Sequence, residues 1–155
     1  MVAGPDRRTD ATSKHVTIRN VWDGVDYSKP RNRVKLAEEP NDLLIATHSY
    51  APGQGNEMHF QVGTGQSLLV LKGALVIRHR HKDLPREQAE VSTLKEGDSI
   101  MIPADVYFAL NNPGPDPVLF YQVKQPGDLV EVEGKGVFKQ SDYFGPGGPD
   151  RADQA

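Results

Sequence analysis

Residues 53–73 read Gly-Gln-Gly-Asn-Glu-Met-His-Phe-Gln-Val-Gly-Thr-Gly-Gln-Ser-Leu-Leu-Val-Leu-Lys-Gly. Glycines stand at both ends, Gly53 and Gly73. Between them lies one histidine, His59, which is followed two and seven residues later by the glutamines Gln61 and Gln66. Glycine is typical of tight turns, and a short apolar run between turns is typical of a β-strand. The stretch therefore predicts strands joined by turns, with three polar side chains at fixed spacing.

This stretch resembles the first motif of the cupin superfamily, G-x5-H-x-H-x4-E-x6-G, at full spacing. The second cupin motif, G-x5-P-x-G-x2-H-x3-N, can be laid on residues 97–112, where Gly97, Pro103 and Asn112 are in register. Asp105 replaces the turn glycine of that motif, and Phe108 replaces its histidine. The paired resemblance implies an all-β cupin-type jelly roll, a barrel or sandwich of antiparallel strands with a cavity at one mouth.

The composition agrees with a single β-rich domain. A chain of 155 residues can bury one modest core, and its 15 glycines and 12 prolines suit many short strands joined by turns. Residues 1–14 are polar and residues 141–155 are rich in glycine and proline, so we expect flexible tails on either side of a barrel domain at 15–140. Short apolar runs predict strands at 16–21, 43–50, 67–71, 74–79, 99–102, 107–110, 118–123 and 129–132.

Charge and cysteine content exclude several classes of function. The formal net charge is −3 and no basic stripe is visible, so the chain lacks the surface that non-specific nucleic-acid binding requires. Cysteine is absent, which excludes disulfides and thiolate metal sites. No run approaches the ~20 apolar residues of a membrane span, and residues 1–14 lack the apolar segment of a signal peptide. The sequence predicts a cytoplasmic protein that binds neither nucleic acid nor membrane.

The motif positions that ligate a metal in cupins are mostly changed. Against the three histidines and one glutamate that the resemblance implies, this chain keeps only His59 and has Gln61, Gln66 and Phe108 at the other positions. Affinity for a divalent ion depends on the type and number of donors, and neutral amides are weak ligands. We therefore predict that no metal cofactor is bound. A site rebuilt around His48 is the one alternative that the sequence offers.

Two further polar side chains are candidates for the cavity. His48 and Tyr50 lie two apart in a predicted strand, so they share one face of it. Cupins usually place an inward apolar or aromatic residue where Tyr50 stands, which predicts that both side chains face the barrel. The strand shows no clear apolar face, however, so an outward, solvated His48 is the open alternative.

These residues predict a small-molecule site. An imidazole can transfer protons, and amides with a phenol can hold a carbonyl or enolate oxygen. We expect His59, Tyr50 and His48 to be catalytic and Gln61, Gln66 and Phe108 to bind the ligand. The predicted function is that of a metal-independent lyase or isomerase for a small polar or aromatic metabolite. In the alternative, His59 only hydrogen-bonds Gln61 or Gln66 inside a filled core.

A further alternative is a non-catalytic subunit. Some ring-cleaving cupin dioxygenases pair a small, ligand-depleted cupin with a larger iron-binding one, and this chain resembles such a small subunit in size and lost ligands. Cupins also commonly form dimers, so we expect a homodimer whose contact includes residues 16–21.

Three other segments carry structural predictions only. Trp22 precedes a turn and is expected to anchor packing at a barrel end or a subunit contact. The charged run at residues 78–82 predicts a solvated edge and turn, and residues 35–41 are able to form a helical turn.

Overall fold

The computed structural model describes residues 17–38, 43–145 and 147–150. Within these ranges the regular secondary structure is almost entirely β-strand; it also includes a 3₁₀ turn at Arg86–Gln88 and the short helix α1 at Gln140–Phe144. The strands are β1 (Arg31–Glu38), β2 (Leu44–Tyr50), β3 (His59–Gln61), β4 (Gln66–Lys72), β5 (Leu75–His81), β6 (Glu90–Leu94), β7 (Ser99–Ile102), β8 (Val106–Asn111), β9 (Val118–Lys124), β10 (Leu129–Val132) and β11 (Gly136–Lys139).

The strands form two antiparallel sheets. The five-stranded sheet has the order β1-β2-β9-β4-β7, and the six-stranded sheet has the order β11-β10-β3-β8-β5-β6. Their inner faces meet in one apolar core, to which Leu68 and Phe120 contribute from the first sheet and Ile77 and Leu110 from the second. The sheets do not close into one barrel, so the predicted all-β jelly roll is confirmed in its sandwich form. No helix among the described residues is long and apolar enough to cross a membrane.

The second predicted motif works as a structural anchor at both of its turns. Asp105 has a φ of 68°, in the left-handed region that glycine tolerates best, at the position where the cupin motif has glycine. Asn112 is buried, and its amide nitrogen donates to the carbonyl oxygens of Tyr50 and Asp116. Its side-chain oxygen accepts a hydrogen bond from the Gly114 N–H. These contacts tie β8 to the loops at one end of the sandwich.

Seven of the eight predicted strands are present, but the first is wrong. Residues 17–20 have no regular structure, Val21 begins a turn, and Val16 lies outside the described residues. The outer position of the five-stranded sheet is taken instead by β1, whose backbone pairs with β2 from Arg31 to Glu38. This pairing also makes the helical turn predicted at 35–41 wrong over the described part, because Lys35 to Glu38 are extended.

The prediction for the charged run at 78–82 needs partial correction. Arg78, His81 and Lys82 are exposed and a turn begins at Lys82, but β5 is not an edge strand, because it lies between β8 and β6. Arg80 is buried there, where it pairs with Glu133 at 2.7 Å and lies over the Tyr107 ring. Trp22 lies in the predicted turn, at residues 21–24, and its side chain is 52% exposed. Its role as a packing anchor or a subunit contact stays a prediction.

The segment beginning at residue 141, which the sequence predicts to be a loose tail, contains packed structure. Tyr143 of α1 is buried against Val130 and Val132 of β10 and packs with Phe138. Further on, the Asp150 carboxylate pairs with Arg31 at 2.6 Å, and both side chains are largely buried. Helix α1 and Asp150 thus pack against the sandwich.

Candidate functional site

A cavity of about 710 Å³ lies between the two sheets. Strands β2, β4 and β9 of the five-stranded sheet form one wall, and β3 and β8 of the six-stranded sheet form the opposite wall. Alternation along each strand sends every second side chain inward. Strand β1 and helix α1 complete the rim. A space of this size is typical of small-molecule sites, which span roughly 300–1,000 Å³.

All six side chains predicted from the sequence line this cavity: His48, Tyr50, His59, Gln61, Gln66 and Phe108. The open question about β2 is thereby answered, because both His48 and Tyr50 face the cavity. Since a cavity is present among them, the alternative of a filled core around His59 does not describe the structure.

His59 is a buried, neutral imidazole. Its side chain is 3% exposed and its ring lies between Phe108, at a centroid distance of 4.4 Å, and Phe144, at 4.3 Å. Nδ1 lies 2.7 Å from the Glu57 carbonyl oxygen. Because a carbonyl only accepts, Nδ1 carries the proton and Nε2 has a lone pair. Burial lowers the pKa of His59 to about 4, and the nearby Lys124 charge acts in the same direction.

A chain of hydrogen bonds crosses the floor of the cavity. His48 Nε2 lies 2.8 Å from Gln122 Oε1, and Gln122 Nε2 donates to Gln66 Oε1 at 2.6 Å. Because the Gln122 oxygen is an acceptor, His48 donates through Nε2. The His48 ring also stacks on Phe120 at 4.9 Å, nearly parallel to it. This chain fixes the orientation of the Gln66 amide, and Gln122 was not singled out by the sequence.

Gln61 and Lys124 are polar groups buried in the cavity wall. Gln61 is 3% exposed, and its Oε1 atom has no hydrogen-bond partner within the described part of the chain. Lys124, at the end of β9, is 4% exposed, and its ammonium donates to Gln140 Oε1 of α1. The sequence prediction missed Lys124, although it continues the inward alternation Phe120, Gln122, Lys124.

Strand β1 brings cations to one side of the cavity. Arg31, Arg33 and Lys35 alternate along the strand, so they share a face, and all three line the cavity together with Lys29. In the sheet register Arg33 is opposite His48. Among the described lining residues the one carboxylate is Asp128.

Helix α1 covers the cavity next to His59. A cluster of three side chains holds it in place: Tyr143 donates to Glu57, and Lys135 donates to Glu57 at 2.7 Å and contacts the Tyr143 hydroxyl at 3.0 Å. Burial alone raises the pKa of Glu57, but the hydrogen bonds from Lys135 and Tyr143 outweigh it and lower the pKa. Glu57 is therefore ionised and links α1 to the loop before β3.

The residues at the cupin metal positions do not fit a divalent ion. His59 faces Phe108, which has no donor atom, and the Gln66 oxygen accepts a hydrogen bond from Gln122. The described residues contain no grouping of three or more histidine, cysteine, aspartate or glutamate side chains that could hold a metal ion. A rebuilt site at His48 would require further donors of this kind. One imidazole with neutral amides is a weak ligand set.

Comparisons with known proteins give structural likeness without sequence likeness. No protein-family model matches the chain, and no curated protein matches it in sequence. Among solved structures, the cupin domain of Cnp3 from Schizosaccharomyces pombe is 15% identical, with a TM-score of 0.56 over 66% of this chain and 69% of that one.

Two further structures are similar at the same level. A protein from Acidithiobacillus ferrooxidans, assigned provisionally as a sugar phosphate isomerase, is 14% identical, with a TM-score of 0.56 over 72% of this chain and 78% of that one. The capsular polysaccharide assembling protein CapF from Staphylococcus aureus is 17% identical, with a TM-score of 0.55 over 61% of this chain. The chain spans only 26% of the CapF chain. At such identities the likeness shows the fold and no activity.

Proposed function

We propose that this chain, which has the cupin fold, binds a small polar metabolite between its sheets and isomerises or dehydrates it without a metal. The observation that carries this proposal is the cavity of about 710 Å³ in which a neutral imidazole and several amides converge. An apolar pocket with a few convergent polar groups is the usual form of a small-molecule site.

In the proposed reaction the Nε2 lone pair of His59 accepts a proton from a carbon next to a substrate carbonyl. The enediolate that forms is converted to the isomer when this proton returns to the former carbonyl carbon and the proton of the neighbouring hydroxyl moves to the former carbonyl oxygen. Both proton transfers are internal to the substrate overall, so no oxidant or reductant is needed. With a pKa of about 4, His59 is unprotonated at pH 7 and begins the cycle as a base. The amide N–H groups of Gln61 and Gln66 and the Tyr50 phenol are donors of the kind that stabilises an enolate oxygen.

Isomerisation is the reaction to assay first. One structure with the same fold carries a provisional assignment as a sugar phosphate isomerase. That assignment belongs to the other protein, and here it supports only the choice of reaction class.

Binding without catalysis is the second candidate. It is favoured by the low pKa of His59, because general-base efficiency is greatest when the pKa lies near the working pH. In that case the cavity would sequester or carry a metabolite rather than transform it.

Solvent isotope exchange on chelator-treated protein separates the two candidates. Dihydroxyacetone phosphate, fructose 6-phosphate and glucose 6-phosphate are incubated with the protein in D₂O, and deuterium incorporation and isomer formation are followed by NMR. If His59 is the base, His59→Gln should lower exchange by about 10²- to 10⁴-fold. The matched control His81→Gln changes an exposed histidine outside the cavity and should leave exchange unchanged. Binding without exchange supports the second candidate, and neither binding nor exchange contradicts both.

A further inference from the structure

Lys124 places a positive charge in the wall of the cavity, next to helix α1. Its side chain is almost completely buried, it lines the cavity, and its ammonium contacts Gln140 of the covering helix. An ammonium has three donor hydrogens and a full positive charge. In a buried site, where the effective dielectric constant is low, such a charge acts strongly on a nearby group of opposite charge. An anionic group in the cavity would interact favourably with this ammonium.

Most charged side chains in the cavity lining are cationic. Five of the described lining residues are cationic and one is acidic; the cations are Lys29, Arg31, Arg33, Lys35 and Lys124, and the acid is Asp128. Arg31 is paired with Asp150, so the other four cations carry the argument. Three of the cations alternate on β1 and lie on the same sheet as Lys124. A concave site with one sign of charge focuses the electrostatic field and raises the local concentration of the opposite ion.

Gln61 places a second requirement on the ligand, which is independent of the ligand's charge. Its Oε1 atom is buried in the cavity wall and has no hydrogen-bond partner among the described residues. A buried acceptor left without a donor costs about 1–3 kcal/mol, so buried polar atoms are normally satisfied. Because an amide oxygen only accepts, the ligand group that meets it must be a donor, such as a hydroxyl.

We infer that the ligand of this cavity is a hydroxylated oxyanion, a carboxylate or phosphate whose charge lies at Lys124 and whose hydroxyl group donates to Gln61. This inference deepens the proposed function by naming the ligand class, and it rests on the same cavity. It excludes cationic metabolites and purely apolar rings as ligands.

Equilibrium binding tests the charge requirement. Isothermal titration with glucose 6-phosphate, gluconate and glucose compares two hydroxylated anions with a neutral analogue of similar size. At least one anion should bind about tenfold or more tightly than glucose, and its affinity should fall as salt is raised. Equal affinities for the three probes, or no binding of either anion up to about 10 mM, would overturn the inference.

Variants assign the two contacts. Lys124→Met keeps the buried aliphatic chain and should lose the preference for the anion, whereas Lys124→Arg should keep it. Lys35→Met, at an exposed rim position, should weaken anion binding by a few-fold and is the test to use if Lys124→Met fails to fold. The control Lys95→Met removes an exposed lysine outside the cavity and should change nothing. Unchanged anion affinity in both Lys124→Met and Lys35→Met would contradict the inference.

Gln61→Leu tests the contact with the ligand hydroxyl separately from the contact with the ligand charge. It should weaken gluconate binding and leave hexanoate, an acid of the same chain length without hydroxyls, unaffected. Equal effects on both acids would remove the role of Gln61. These experiments measure binding alone, so anion binding without isotope exchange would refute the catalytic proposal and leave the ligand class standing. Isotope exchange on a neutral substrate, with no preference for anions in the binding experiments, would refute the ligand class and leave the catalytic proposal standing.

Discussion

Burial between two phenylalanine rings determines what His59 can do. Its Nδ1 proton is held by the Glu57 carbonyl oxygen, and burial lowers its pKa to about 4. At pH 7 only about one molecule in a thousand would carry the protonated ring, so this histidine is a poor proton donor to a substrate. Of the acid and base roles that the sequence allows, the structure favours the base.

The lowered pKa also makes stability depend on pH. The folded state binds a proton on His59 less readily than the unfolded state, whose histidine has a pKa near 6.5. The stabilising effect is therefore complete above pH 6.5 and is lost as the pH falls through about 4, amounting to at most about 3 kcal/mol. In urea unfolding at pH 7 and pH 4.5, the wild type should lose more stability than His59→Gln over this interval.

The matched control for that measurement is His81→Gln. His81 is exposed at the end of β5, so this variant should follow the wild type at both pH values. Equal acid sensitivity of the wild type and His59→Gln would show that His59 does not titrate as its burial requires.

The spacing of the two motifs predicted which residues at motif positions line the cavity. His59, Gln61, Gln66 and Phe108 occupy positions set by the two motifs, and all four line the cavity. Lys124 was missed because a charged residue at the end of an apolar strand usually lies in solvent. The alternation Phe120, Gln122, Lys124 puts the three side chains on one face, but it does not show that this face points inward; that depends on how β9 pairs between β2 and β4.

At the level of elements, the short helix α1 has the largest consequence for the site. It lies in a segment whose glycines and prolines predict a loose tail, yet its aromatic residues are held by contacts distant in sequence. Tyr143 donates to Glu57 and packs on Phe138, and Phe144 covers His59. The prediction from composition fails over these five residues, because tertiary contacts stabilise them.

Phe144→Ala tests whether α1 keeps water from His59. Removing the ring should expose the imidazole and raise its pKa from about 4 towards 6.5, because desolvation is the largest cause of the shift. NMR titration of the His59 ring signals measures this change. The control Val137→Ala truncates an exposed side chain on the neighbouring β11 and should leave the His59 pKa unchanged. An unaltered pKa in Phe144→Ala would mean that Phe108 and the sheet alone bury the histidine.

Strand β1 shows why the cationic side of the cavity was overlooked. Its sequence, RNRVKLAE, has no clear apolar run, although Leu36 is buried, and Arg31, Arg33 and Lys35 line the cavity. The strand pairs with β2 along its backbone from Arg31 to Glu38. Such pairing has no signature in local sequence, whereas the apolar strands β4, β8 and β9 were predicted from their composition.

For the whole molecule, the sandwich explains why the fold is more predictable than the function. The turn positions, the buried Asn112 and the apolar strands reproduce the cupin pattern although three metal-ligand positions have changed. Packing of the two sheets depends on apolar volume and turn geometry, which tolerate new side chains inside the cavity. The cavity is therefore free to differ in chemistry while the sheets around it stay the same.

The homodimer remains a prediction, and the exposed apolar residues before β1 define how to test it. Ile18 and Trp22 are each 52% exposed, and the turn that follows them is held to β1 by the hydrogen bond from Asn32 to the Gly24 carbonyl. If this segment forms an isologous contact, Ile18 and Trp22 of both protomers become buried, which favours association.

Light scattering at micromolar concentration should then give a dimer, and Trp22→Ser should shift the equilibrium towards the monomer. Met101→Ser, which changes an exposed residue on the opposite edge strand β7, should stay dimeric. A monomeric wild type would refute the dimer, and dissociation by Met101→Ser alone would move the contact to β7.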